Sequence, residues 1–359
     1  GGDEGDTYDY SWPTRDRIYK LRFQNAKAEL QSGDIADILT LRGTWLLPQS
    51  LQERESDQCT QELSYELQLQ LDHKDLIRCE LHVNNTAAEH RMRVICRGLS
   101  SSDSSIADTP FGTIRRKHDP KHMDDWREAG YREEPSPIYP FLHHVSNGDG
   151  PILTCFSKGI KEYEILRHTD IALTLFRSVP LLGKPDLNRR PGIASGNEFK
   201  YIPTPKSELR QHMSFAFALC YRREYHAMEL QKAWLCYANA PLYYQLQEMN
   251  RFVNTQKYFV THPYPQAIQP LKEGLLNMDD STVLQFSSLY PLDEKHAVLR
   301  VYNSLNTTVS VDHLHCHTKH AQLVNMLHEK IADVRLEQDE LTVQGLHPEE
   351  IRTYKIIVK

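Results

Sequence analysis

The chain has 359 residues, 40% hydrophobic and 25% charged, which suits a folded water-soluble protein and is too apolar for wholesale disorder. Its formal charge of −6 excludes a general phosphate-backbone binder, so no nucleic acid partner is expected. Apolar stretches such as Ile171-Ala172-Leu173-Thr174-Leu175-Phe176 fall far short of the roughly 20 residues that span a bilayer, so no membrane partner is expected either.

The opening Gly1-Gly2-Asp3-Glu4-Gly5-Asp6 carries no signal-peptide pattern and no initiator methionine, and reads as an entry into the middle of a longer polypeptide. Beyond it the dominant period is two. Leu63, Tyr65, Leu67, Leu69 and Leu71 alternate with polar residues. Ile77, Cys79, Leu81 and Val83 repeat the pattern, as do Met92, Val94 and Cys96. Such alternation marks half-buried strands. The short links His73-Lys74-Asp75 and Asn84-Asn85 argue for an antiparallel meander forming one layer of a sandwich.

From 101 to 150 the periodicity dissolves into Ser, Pro and Gly. The aromatics Phe111, Trp126, Tyr131, Tyr139 and Phe141 point to an ordered loop rather than a linker. Strand-like runs resume at Ile152 to Phe156, Ile171 to Phe176 and Met213 to Cys220, with a second irregular insert at 183–205. Met228 to Leu246 fits helix or strand equally. Val283 to Phe286, Ala297 to Val301 and Ile351 to Val358 suggest strands of a smaller unit. The expected architecture is all-β, with a large antiparallel sandwich over 1–270 and a small β domain over 271–359. The seven cysteines are odd in number and irregularly spaced, which suggests buried thiols in a reducing compartment.

Three clusters could carry chemistry. Asp3, Glu4, Asp6, Tyr8, Asp9 and Tyr10 offer carboxylates to a hard cation, or form a solvated acidic turn entering a strand. His313, His315 and His317 share one side of a strand, as zinc ligands or as surface histidines. Asp186-Leu187-Asn188-Arg189-Arg190-Pro191-Gly192 sets two guanidiniums on a stiff loop. They are suited to carboxylates or sugar hydroxyls, or simply to pairing with neighbouring acids. No nucleophile elbow, phosphate loop or dinucleotide turn is present.

Several segments, taken in order, resemble the C-terminal, non-barrel half of glycoside hydrolase family 38, the α-mannosidases. They are Gly5-Asp6-Thr7-Tyr8-Asp9-Tyr10-Ser11-Trp12-Pro13, Ala107-Asp108-Thr109-Pro110-Phe111-Gly112, Gly159-Ile160-Lys161-Glu162-Tyr163-Glu164, and Leu173-Thr174-Leu175-Phe176-Arg177-Ser178-Val179 leading to Arg190-Pro191-Gly192. The Arg-Pro-Gly form resembles the bacterial, cytoplasmic branch containing mannosylglycerate hydrolases. The resemblance implies a galactose-mutarotase-like sandwich. It also implies retaining hydrolysis of an α-mannoside, such as 2-O-α-mannosyl-D-glycerate or its 6-phospho form, through a covalent glycosyl-enzyme. The nucleophile, the acid/base and a divalent metal, usually zinc, belong to an N-terminal barrel absent from this chain. On this reading the chain holds no catalytic residue and no metal, and is inactive alone. Its partners are that barrel and a mannoside, with a homo-oligomer also compatible. Tyr8, Asp186 and Arg190 match substrate-facing positions, with Asp186 expected to hold Arg190, and with Arg189 replacing Arg190 if the match slips by one. The rival reading is a free-standing carbohydrate-binding sandwich in which Trp126, Tyr139 and Phe141 stack on sugar rings. A blander one has these aromatics anchoring loops.

Overall fold

A computed structural model describes residues 1–72, 76–192, 202–239, 276–278, 283–316, 318–337 and 340–357. It is built almost wholly from antiparallel strands, as the alternating pattern requires, and it falls into two compact units, Gly1–His226 and Ala227–Lys359. The expected boundary at 270/271 and the link His73-Lys74-Asp75 lie outside the described residues.

In the first unit a nine-stranded sheet runs Lys27–Gln31, Ala36–Leu47, Gln61–Asp72, Ile77–Asn84, His212–Arg222, Ile152–Lys158, His144–Asn147, Ser104–Thr109 and Gly112–Lys117 in spatial order. A four-stranded sheet comprises His90–Cys96, Asp170–Ser178, Glu162–Leu166 and Ile138–Pro140. Alternation decides which side chains enter the core. Leu63, Tyr65, Leu67, Cys79, Leu81 and Val83 from the large sheet pack with Met92, Cys96, Tyr163, Ile171 and Leu173 from the small one. Trp45 stacks on Tyr65 with ring centroids 4.0 Å apart.

Two expectations need correction. The three alternating strands do not form one meander. Gln61–Asp72 and Ile77–Asn84 pair, but His90–Cys96 pairs with Asp170–Ser178 in the other sheet. Between them Asn85 donates through Nδ2 to the carbonyls of Ala87 and Leu209, and Glu89 takes a left-handed φ of 53°. Those contacts redirect the chain across the sandwich. The stretch 101–150 is no mere loop, since it supplies strands to both sheets. His144–Asn147 is buried at every position, so no alternation could announce it.

In the second unit the undecided segment begins as a helix, Ala227–Ala238, and its remainder from 240 lies outside the described residues. One sheet orders Leu276–Asn277, Val309–Cys316, Glu340–Leu346 and Leu336–Glu337. The other orders Gln285–Pro291, His296–Tyr302, Ile351–Ile357, Ala321–Val324 and Lys330–Val334. Leu299, Val301, Leu314, Leu341, Val343, Leu346, Tyr354 and Ile356 form their shared core.

Candidate functional site

The acidic opening segment is only partly solvated and does not start a strand. Asp3 and Asp6 are buried, and their carboxylates are already committed to arginines. Arg177 leaves the Asp170–Ser178 strand with Nε donating to Asp3 Oδ2 at 2.6 Å and Nη2 to Asp3 Oδ1 at 3.1 Å. The same Nη2 lies 2.7 Å from the carbonyls of Asp6 and Asp9. So close an approach needs a glycine: a Cβ on Gly5 would stand 2.2 Å from Asp9 O and 2.8 Å from that Nη2. Tyr10 lies beneath the guanidinium of Arg91, 3.8 Å from its ring centroid. The segment is thus strapped to the four-stranded sheet by charge-assisted hydrogen bonds.

Asp6 joins this strap to the loop from 181 to 192. Its Oδ1 accepts from the amides of Tyr8 and Asp9 at 3.0 and 2.9 Å. Its Oδ2 accepts from the amides of Gly183 and Lys184 at 2.8 and 2.9 Å, and from Arg190 Nη2 at 2.8 Å. Burial alone would raise the carboxyl's affinity for a proton. The bonds from the Asp9 amide and from Arg190, and the Arg190 charge, outweigh burial and hold it below the usual carboxylate range. The loop closes on itself through Asp186 N to Gly192 O at 2.8 Å and through reciprocal amide bonds between Leu187 and Arg190. Left-handed backbone at Asp186 (φ 53°) and Gly192 (φ 86°) makes the turn.

Arg190 and Tyr8 come together: the guanidinium carbon stands 5.2 Å from the Tyr8 ring centroid, and Tyr8 is 72% exposed. Arg189 faces elsewhere. Its Nε donates to Glu134 Oε2 at 2.9 Å and its Nη1 to Tyr10 O at 3.3 Å. Asp186 does not hold Arg190, contrary to expectation. Its exposed carboxylate accepts the Gly192 amide at 2.9 Å, and the acid that grips Arg190 is Asp6. Both arginines therefore pair with acids, as the plainer reading of this loop had it.

The other candidates resolve differently. His313 and His315 share the exposed side of their strand and stand 3.6 and 3.4 Å from Glu340, while His317 lies outside the described residues. Among the described residues no three His, Cys, Asp or Glu side chains gather where they could hold a metal ion. Trp126 and Phe141 are buried, and Tyr139 donates its hydroxyl to Lys117 O. Two of the proposed stacking platforms therefore pack inward, as loop anchors.

Arg177 and Asp6 stand in the family-like segments and Asp6 also in the acidic run, but neither carries a role in the sequence alone. A signal for Arg177 existed: an arginine within a strand otherwise buried along its length demands a partner. Glu134, in irregular chain, gave none.

No family model matches the sequence. No curated protein matches it. Among solved structures, an α-mannosidase from Enterococcus faecalis V583 superposes with a TM-score of 0.69 and 20% identity, covering 99% of this chain and 37% of that one. A glycosyl hydrolase family 38 protein from Enterococcus faecalis gives 0.69 and 19%, covering 99% of this chain and 39% of that one. The chain shares its all-β sandwich fold with these hydrolases and spans under two-fifths of their length. None of the described helices is long and apolar enough to cross a membrane.

Proposed function

We propose that this chain is the C-terminal β-sandwich part of a retaining α-mannosidase of glycoside hydrolase family 38, and that it lends Tyr8, Asp186 and Arg190 to the substrate pocket. The observation that supports this most is the pairing of an exposed Tyr8 ring with the Arg190 guanidinium, held by a buried strap within an α-mannosidase-like fold. In this reading the nucleophile, the acid/base and zinc sit on an N-terminal barrel. Zinc there would hold hydroxyls of the reacting ring.

The chemistry left to this chain is binding and orientation. The Tyr8 ring offers a flat face to a sugar ring, and the Arg190 fork offers donors to hydroxyls or to a carboxylate. That guanidinium suits an anionic aglycone, and so 2-O-α-mannosyl-D-glycerate or its 6-phospho form. The buried thiols Cys79, Cys96 and Cys155 suit the reducing bacterial cytoplasm.

The test is Arg190→Ala in the full-length protein assayed with mannosylglycerate. The expected loss of kcat/KM corresponds to about 1–3 kcal/mol, the range for a charged hydrogen bond. An unchanged kcat/KM would remove Arg190 from the pocket.

A further inference from the structure

Tyr8 and Arg190 reach their positions from distant parts of the chain, and one carboxylate fixes both. Through Oδ1, Asp6 sets the Tyr8 and Asp9 amides and with them the turn that presents the phenol ring. Through Oδ2 it sets the Gly183 and Lys184 amides and the Arg190 guanidinium. Its side chain is wholly covered, so no ligand can reach it. The charged groups around it are otherwise engaged: Arg177 with Asp3, Lys184 Nζ with Glu4 O, and Arg189 with Glu134. Arg190 is left as the side chain that answers its charge.

We propose that Asp6 is the positioning residue of this site, aligning Arg190 and Tyr8 for a bound glycoside without touching it. The proposal rests on the reading of Tyr8 and Arg190 as substrate-facing groups. Without Asp6 the arginine would have to be ordered by the ligand itself, at the expense of affinity for the transition state.

A double-mutant cycle separates positioning from mere scaffolding. In the full-length enzyme with mannosylglycerate, Asp6→Asn is expected to lower kcat/KM roughly tenfold, the scale of one charged hydrogen bond. Because Asp6 acts through Arg190 and Tyr8 together, adding Asp6→Asn to a Tyr8→Ala/Arg190→Ala variant should cost no more than about twofold further. Losses that multiply would overturn the proposal.

Amide hydrogen exchange supplies the readout that needs no substrate. Asp6→Asn keeps one acceptor oxygen, for the Tyr8 and Asp9 amides, and turns a donor toward Gly183 and Lys184, so it should speed exchange at Gly183 and Lys184 at least about tenfold and leave Ile152–Lys158 unchanged. Unaltered exchange at those amides would overturn it, whatever the protein hydrolyses. Wild-type enzyme without turnover, combined with faster exchange in the variant, would refute the functional reading and leave the positioning geometry standing. If Asp6→Asn does not fold, Asp6→Ser, which keeps an acceptor for the Tyr8 and Asp9 amides and none for Gly183, Lys184 or Arg190, replaces it, with faster exchange expected at Gly183 and Lys184.

Discussion

Replacing Arg177 by Met tests the strap that carries the site. The Asp3 carboxylate is completely covered and the Arg177 side chain is 15% exposed, so the pair is shielded from solvent. Truncation leaves Asp3 with the Gly5 amide and deprives the Asp6 and Asp9 carbonyls of a donor at 2.7 Å. Breaking a buried pair on one side costs about 3–5 kcal/mol, because the surviving charge is stranded. The two carbonyls contribute less, since Asp9 O also accepts the Asp6 amide. Urea unfolding followed by tryptophan fluorescence should therefore show a loss of about 3–5 kcal/mol with an unchanged m-value. Asp3→Asn/Arg177→Met should recover part of it, since no charge is then stranded. A loss below about 1 kcal/mol would refute the view that the opening segment is held by this ion pair.

Gly5→Ala should destabilise the same strap by about 1–3 kcal/mol, because backbone oxygen occupies the space its methyl would need; circular dichroism melting is the check. His144 is buried with neither ring nitrogen hydrogen-bonded, and burial, against the opposing pull of Asp108, lowers its pKa from 6.5. The unfolded chain then binds the proton that the folded one refuses. Stability present above pH ~6.5 should fall as pH drops below it, by at most about 1.4 kcal/mol per unit, and His144→Phe should flatten that slope in urea titrations at pH 7 and 5. Phe141→Ala should cost about 3–5 kcal/mol in the same unfolding assay, as a core truncation, and isothermal titration with methyl α-mannoside should show no change attributable to a lost stacking platform.

Strands with one wet face were legible because a period of two needs only local sequence. Gln61–Asp72 and Ile77–Asn84 show it plainly. Which sheet a strand joins was not, since the partner of His90–Cys96 lies past residue 170. His144–Asn147 escaped because His, Ser and Asn are unusual for a strand buried along its whole length. There Ser146 pairs with Thr154 and Asn147 bonds the carbonyls of His168 and Thr169. At the site, the loop arginines stood out as chemistry. The acid that holds Arg190 did not, because Asp6 is 184 positions away and an acidic run reads locally as solvated surface. Only burial turns that run into a set of ion pairs.

On the proposed function, this polypeptide shapes and binds while the reactive carboxylates reside on a barrel domain. The most direct measurement is hydrolysis of 4-nitrophenyl α-mannoside by the 359-residue chain, with and without added zinc, beside the full-length protein. No release of nitrophenol by the chain, and release by the longer protein, is the expected result. Clear turnover by the 359 residues alone would contradict it.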